Sequence, residues 1–312
     1  MKTTVIYHSA DYDGIFCREI ARHFLGDEGV EYLGWNHGDR PVTIPGDGLV
    51  YIMDLSPDQP LGIVFAEYSE HGSLPGRIVW IDHHKSAIEN IDDSHLLPGY
   101  RIDGVAACRL AWQWFRMKGT YAFDSASAFP AGSLPSKAQY IDRQVEEPLA
   151  VRLAGEYDVW DKRDPRAETF QYGMRVVDLN PARWNGLLQM DALEGRTVTD
   201  ILGAGNYPQV YARRMGEVTV RYNSWLMDWE GLKFLCLNAY PINSLTFAGR
   251  DVPETGHDAL LSFRWTGRRW MVSLYHARHR TDLDLSVIAV RHGGGGHRGA
   301  CGFTCGELPF KL

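Results

Sequence analysis

Cysteine is scarce. The five residues Cys17, Cys108, Cys236, Cys301 and Cys305 are odd in number and scattered, which speaks against a disulfide framework and for a reducing compartment. Cys301 and Cys305 are the one close pair. No second Cys or His pair at finger-like spacing accompanies them, so small buried residues are expected there rather than a zinc site. No apolar run is long enough to span a bilayer, so no membrane partner is expected. The first residues carry one Lys and pass straight into Thr3-Thr4-Val5-Ile6-Tyr7, without an apolar signal core; the expectation is a cytoplasmic protein. Positive charge is not in excess: 32 Lys and Arg stand against 39 Asp and Glu, a net charge of -7. A protein that grips long duplex DNA by its phosphates shows a basic face or a basic total. Long duplex nucleic acid is therefore not an expected partner. Internal repeats and low-complexity tracts are also missing.

What remains is an ordinary globular composition, with 312 residues, 45% hydrophobic and 23% charged, enough for two domains. Its chemistry gathers where apolar strands end. Arg77 to Ile81 reads as a buried strand that stops in Asp82-His83-His84. Thr3 to Tyr7 reads as a strand ending in His8-Ser9-Ala10-Asp11-Tyr12-Asp13-Gly14, followed by an amphipathic helix closed by Gly26. Leu49 to Met53 ends in Asp54. Val30 to Trp35 is a further short strand, and Pro41, Pro45, Gly46 and Gly48 read as a loop. Asp11 or Asp13 can cap the helix, and Asp54 before Pro57 can be a turn residue. Yet strands alternating with crossovers predict a parallel, doubly wound sheet, and parallel strands bring their C-terminal ends to one edge, where ligands bind. His8, Asp11, Asp13, Asp54, Asp82, His83 and His84 then converge.

Gly104 to Lys118 predicts a core helix, with Arg109 a solvated or supporting charge. Ser125 to Ser136 reads as a loop. Ala138 to Ala154 returns to helix and runs into Asp158 and Asp161, two further candidate ligands, with Asp164 before Pro165 a turn. Leu193 to Trp229 reads as one long or kinked helix. Gly231 opens a strand series, 232–237, 258–265 and 270–276, with a hairpin at Thr266-Gly267-Arg268. A short helix over 284–290 precedes Arg291-His292-Gly293-Gly294-Gly295-Gly296-His297-Arg298. The glycine amides there can form an anion-binding nest. Tyr275 to Arg280 is either a cleft-facing segment or an exposed loop. The expected architecture is α/β: a doubly wound, mainly parallel domain over 1–192, a helical connector over 193–230, and a smaller α+β domain over 231–312.

On these residues the chain resembles the DHH phosphoesterase superfamily, in the branch with a C-terminal DHHA1 domain. His8 to Gly14 looks like the first motif, Asp54 the second, Asp82-His83-His84 the third, Asp158 the fourth, and Gly293 to Phe303 the DHHA1 signature. The resemblance implies two divalent ions, manganese-like for a mixed His and carboxylate set. His8, Asp11 and Asp54 would hold one; Asp13, Asp54, His83 and Asp158 the other. It makes Asp82 a partner that orients a ligating imidazole, and His84 and Arg298 the groups facing substrate phosphate, with Gly294, Gly295, Gly296 and His297 in substrate binding. Ala106-Ala107-Cys108 lacks the hydroxyl common at that point of the family and receives no substrate contact. The implied activity is manganese-dependent hydrolysis of short, nano-RNA-like oligonucleotides to mononucleotides, through a hydroxide shared by two ions. A phosphatase or phosphodiesterase of small nucleotides, bisphosphonucleosides or cyclic dinucleotides is the alternative, and an inactive nucleotide-binding sensor the alternative of another class. The long helix leaves room for a homodimer.

Overall fold

A computed structural model describes residues 2–43, 48–61, 77–91, 97–118, 134–161, 163–239, 244–247 and 249–311. The chain divides into two compact units, Met1–Asn206 and Tyr207–Leu312. The 193–230 connector does not stand apart as a unit of its own. The boundary falls inside a single helix.

The first unit contains β1 (Thr3–His8), α1 (Tyr12–Leu25), β2 (Val30–Trp35), β3 (Leu49–Met53), α2 (Asp58–Leu61), β4 (Arg77–Ile81), α3 (Lys85–Asn90), α4 (Ala107–Lys118), α5 (Lys137–Ile141), α6 (Leu149–Asp158), α7 (Arg166–Met174), α8 (Pro181–Leu187) and the start of α9 (Ala192–Asn223). Its four strands are all parallel, in the order β2-β1-β3-β4. Successive side chains on a strand point to opposite faces. Tyr51 and Met53 therefore join Phe16, Ile20 and Leu110 in one core, while Val50 and Ile52 join Trp80, Ala87 and Leu97 in another. Both faces are covered, which explains why β3 is an unbroken apolar run with every residue buried. The order reverses between β1 and β3. That gap is the switch point at which open α/β sheets bind ligands beyond their strand ends.

One expected helical span is interrupted. Ala138 to Ala154 forms α5 and α6 rather than one helix, with Arg143 in the left-handed region and Pro148 as the N-cap of α6. Pro lacks the N–H that a helix interior needs and fits a helix start. Arg109 is not solvated. It is 3% exposed, and its Nε donates to Glu147 at 3.0 and 3.1 Å. The Ser125 to Ser136 expectation falls mostly outside the described residues, as do Pro45 and Gly46.

The second unit carries the rest of α9, then β5 (Ser224–Trp229), β6 (Leu232–Asn238), β7 (Ala259–Trp265), β8 (Trp270–His276), α10 (Ser286–Arg291), β9 (Gly295–His297) and β10 (Ala300–Cys305). The strand order is β5-β6-β7-β8-β10-β9, with β6 and β7 parallel and the other neighbours antiparallel. The helical reading of Leu193 to Trp229 holds to Asn223 and fails beyond it. Ser224–Trp229 is a strand because Glu230 and Gly231 both take positive φ, 52° and 75°, the turn that matches strand twist in a two-residue hairpin. The 266–268 hairpin forms as expected. One face of this sheet packs on Leu285, Ile288 and Ala289 around α10, the other on Val220 and Phe247. Among the described residues no helix is long and apolar enough to cross a membrane.

Candidate metal centre

β1 ends in His8, and α1 begins almost at once. The turn is tight because Gly14 lies on the strand end: a Cβ there would come within 1.9 Å of the His8 carbonyl oxygen. Asp11 is the N-cap of α1. Its Oδ1 accepts from the Gly14 N–H at 3.1 Å, while its Oδ2 stands 3.0 Å from His8 Nδ1. The capping and ligand readings of Asp11 are thus compatible, one oxygen serving each.

Asp13 faces inward in the first turn of α1 and is buried. Its two oxygens accept from the backbone N–H groups of Ala107 and Cys108, each at 2.8 Å. The first turn of α4 therefore holds this carboxylate with amides it does not need internally. The sequence gives Ala106-Ala107-Cys108 no substrate contact, and residue identity carries no sign of this contact to Asp13, because the donors are main-chain.

Asp54 closes β3. Its φ is 58°, a left-handed conformation that costs a non-glycine residue about 1–2 kcal/mol. It is 2% exposed, and neither carboxylate oxygen accepts a hydrogen bond. Oδ2 lies 3.5 Å from His8 Nδ1 and Oδ1 lies 3.3 Å from His83 Nε2. Three carboxylates thus surround one imidazole nitrogen, for His83 Nε2 is also 3.4 Å from Asp13 Oδ2 and 3.3 Å from Asp158 Oδ2. Asp161, the other candidate from that segment, pairs instead with Arg163 at 3.0 Å. Asp164 accepts from the Arg166 N–H at 3.0 Å, the turn contact expected of it.

Asp82 is fully buried. Its Oδ1 accepts from the backbone N–H groups of His83 and His84 at 2.7 and 3.2 Å, and from His84 Nδ1 at 2.7 Å. The carboxylate therefore orients the ring of His84. Its ring contact is to His84, the residue the resemblance assigns to phosphate, rather than to the His83 ring.

The electrostatics follow from this crowding. Burial pulls His8 down, but Asp11 and Asp54 outweigh it and hold the imidazole at about 10. Burial and then the Asp54 charge push Asp13 up to about 7. Burial alone would raise Asp54; His8, His83 and His84 outweigh it and keep it well below the usual carboxylate range. Asp158 is pushed up by burial and by Asp13. Burial opposes charge on His83 and His84, and carboxylates overcome it in both, Asp54 foremost for His83 and Asp82 for His84. A buried carboxylate is costly unless it is paired or coordinates a metal, and the imidazoles of His8, His83 and His84 are the partners Asp54 has.

The residues fit divalent ions. Two groups of possible ligands, His8, Asp11 and Asp54, and Asp13, Asp54 and His83, share Asp54. Ligand atoms each ~2.1 Å from a common ion stand roughly 3.0–3.4 Å apart at octahedral to tetrahedral angles. The imidazole-to-carboxylate spacings in these groups run from 3.0 to 3.5 Å.

The glycine run lies in the second unit and is more ordered than a nest or a linker. The Gly293 and Gly294 N–H groups donate to Val290 and Ala289 carbonyls at 3.0 and 2.9 Å, ending α10. Gly295 to His297 forms β9, an edge strand on β10. A Cβ on Gly294 would meet the Gly302 carbonyl oxygen at 2.0 Å, so close backbone packing accounts for that glycine. Arg298 is exposed, and its Nη2 donates to the Asp282 carbonyl at 2.8 Å. The segment after Tyr275 is tied down within its own unit: His276 Nε2 contacts the Leu283 carbonyl at 2.8 Å, and the Arg278 N–H donates to Asp251.

No family model matches the chain, and no curated protein does. Solved structures do. The DHH domain of a protein described as a ribosomal protein family member is 15% identical, with 97% of this chain and 82% of that chain covered and a TM-score of 0.50. Exonuclease RecJ bound to manganese is 13% identical, with 97% and 86% covered and a TM-score of 0.46. The pGpG-specific phosphodiesterase PggH from Vibrio cholerae is 11% identical, with 98% and 94% covered and a TM-score of 0.39. Four parallel strands in the first unit, a six-stranded sheet in the second, and a DHH domain matching over 97% of this chain give one conclusion: the chain has the fold of that DHH domain.

Proposed function

We propose that the protein is a divalent-metal-dependent phosphoesterase acting on short oligonucleotides. The observation that carries this reading is Asp54: buried, held in a left-handed backbone conformation, both oxygens without a hydrogen bond, and shared by two ligand groups. Strain of this kind persists where the surroundings over-determine it, commonly at active sites. His8, Asp11 and Asp54 would hold one ion, and Asp13, Asp54, His83 and Asp158 the other, with manganese favoured by the mixed nitrogen and carboxylate donors. Such a pair supplies Lewis-acid activation of water and charge neutralisation at phosphoryl oxygens.

The chain's own groups do the rest. The Ala107 and Cys108 amides fix Asp13, and Asp11 is fixed by the cap it makes. Asp82, holding His84 Nδ1 at 2.7 Å, favours the imidazolium form, so that His84 offers positive charge to a phosphate. His297 and Arg298 keep the substrate-binding assignment that the resemblance implies. The net charge of -7 suits a short substrate better than a long one, because each phosphate contact to a long chain needs a basic partner.

The test is a panel with manganese: two- to ten-nucleotide RNA and DNA, longer single strands, cyclic dinucleotides, a bisphosphonucleoside and pyrophosphate. The reading expects turnover concentrated on dinucleotides to pentanucleotides, with mononucleotide products. Rates that keep rising beyond about ten nucleotides, where backbone contacts dominate, would remove it.

A further inference from the structure

α9 carries a second apolar face besides the one that seats it. In its second-unit half, Val220 is buried with Leu235, Leu237, Phe247 and Leu260, and a Cβ on Gly216 would meet the Thr246 Cα at 3.1 Å. Those two residues mark the side that packs on the sheet. Successive residues of a helix are ~100° apart, so Tyr207, Tyr211, Val218 and Tyr222 stand roughly 140–180° round from that side, with Val210 and Met215 at the edges of the same stripe. All six belong to the second unit. The three tyrosines are 86, 67 and 72% exposed, and Val210, Met215 and Val218 are 45–52% exposed. Their spacing is that of a helix face built to be buried, yet the opposite side of α9 already serves this chain's own core.

Area and composition say what covers the stripe. At these exposures the three tyrosines offer on the order of 450 Å² and the whole stripe roughly 700 Å². Single apolar patches on monomers run to ~300–600 Å², whereas each partner in a stable interface gives up ~800 Å². Arg214 and Arg221 flank the stripe, and their stems add apolar cover. Tyr, Met and Arg are the residue types enriched where proteins meet.

The charges on one edge favour a second copy of this chain. Arg214 and Glu217 lie on the same side of the stripe, one turn apart. Two antiparallel copies of α9, related by a two-fold axis near Met215 and Gly216, set Arg214 of each against Glu217 of the other. The same register brings Tyr211 of each beside Val218 and Tyr222 of the other. A two-fold contact must be self-complementary in this way. We infer that the 207–222 face of α9 is the interface of a homodimer, formed by antiparallel pairing with the same face of a second copy. The inference does not depend on the phosphoesterase reading.

The experiment is sedimentation equilibrium of the full-length protein from about 1 to 100 µM, on wild type and three variants. Tyr211→Asp/Val218→Asp puts charge at the centre of the stripe. Both residues are exposed, so the fold is kept, and unchanged circular dichroism checks that. Arg214→Glu and Glu217→Arg each make the facing edge charges alike. Wild type is expected to be a dimer in this range, and Tyr211→Asp/Val218→Asp a monomer, its dissociation constant raised at least about 100-fold. Arg214→Glu and Glu217→Arg are each expected to dimerise at least about tenfold more weakly than wild type. Their equimolar mixture is expected to recover the dimer, because each meets opposite charge only in the other. A wild type that is monomeric at about 100 µM, whether or not this face binds anionic vesicles or another protein, overturns the proposal. So does a Tyr211→Asp/Val218→Asp variant that dimerises as wild type does, or a mixture of the two charge variants that dimerises no better than either alone.

Discussion

His84 Nδ1 lies 2.7 Å from Asp82 Oδ1, and the same oxygen accepts from the backbone N–H groups of His83 and His84. Three hydrogen bonds on one buried oxygen lock the loop after β4 and fix one nitrogen of the His84 ring. Asp82 is therefore a positioning residue. Asp82→Asn is expected to lower kcat by about 10–100-fold, the usual effect of losing such a support, with KM and metal stoichiometry little changed. Because the raised pKa of His84 depends on Asp82, the basic limb of the pH–rate profile is expected to move to lower pH. A merely structural role would leave that limb in place.

Asp54 sets backbone strain against charge pairing. Asp54→Gly removes a left-handed non-glycine residue, φ 58°, a relief of about 1–2 kcal/mol, but it also removes the charge that His8, His83 and His84 hold ionised, whose contribution to stability is fully present at neutral pH. Urea unfolding in chelator at pH 7 is therefore expected to show the variant no more stable than wild type, while hydrolysis and metal binding are lost.

Proton linkage is expected in the metal-free protein. His8 is raised to about 10 from 6.5 and Asp13 to about 7 from 3.8. Both folded values lie above the unfolded ones, so each contribution to stability is full at low pH and is lost as pH rises through the folded value. Thermal scans in chelator are therefore expected to show stability falling from about pH 7 to about pH 10 as His8 loses its proton. Metal must displace those protons. Calorimetry in buffers of different ionisation enthalpy is expected to show proton release on manganese binding at neutral pH, and affinity rising with pH.

Gly14→Ala tests the turn that joins β1 to α1. The new Cβ would fall 1.9 Å from the His8 carbonyl oxygen, a backbone atom that cannot step aside. Destabilisation of about 1–3 kcal/mol is expected from such overpacking, measured by denaturant unfolding. Manganese affinity is expected to weaken with it, because His8 and Asp11 flank the displaced turn.

The first sheet is legible in the sequence because its signal is redundant. Buried parallel strands are continuous apolar runs, and β1, β3 and β4 each end abruptly in His or Asp. The same pattern brings His8, Asp11, Asp13, Asp54 and His83 together, as the structure does. The Ala107 and Cys108 amides that hold Asp13 are not legible, since main-chain donors leave no mark on residue type. The extent of α9 is misleading in the sequence because Trp225 and Leu226 continue a helical spacing, whereas the Glu230-Gly231 turn decides for a strand. The glycine run misleads for a related reason. Glycine marks close backbone approach, and Gly294 approaches Gly302 of its own sheet.

The central claim is that Asp54 is the ligand shared by two ions in a phosphoesterase centre. The most direct measurement is hydrolysis of a dinucleotide by metal-stripped protein repleted with manganese, wild type against Asp54→Asn, with bound manganese counted in the same samples. The account predicts two manganese ions and turnover in wild type. It predicts loss of at least one ion and a fall in kcat of at least about 1,000-fold in the variant, the scale of removing a principal electrostatic contributor. Asp54→Asn protein that keeps both ions and its activity, or wild type that binds manganese and cleaves nothing on the panel, would contradict it.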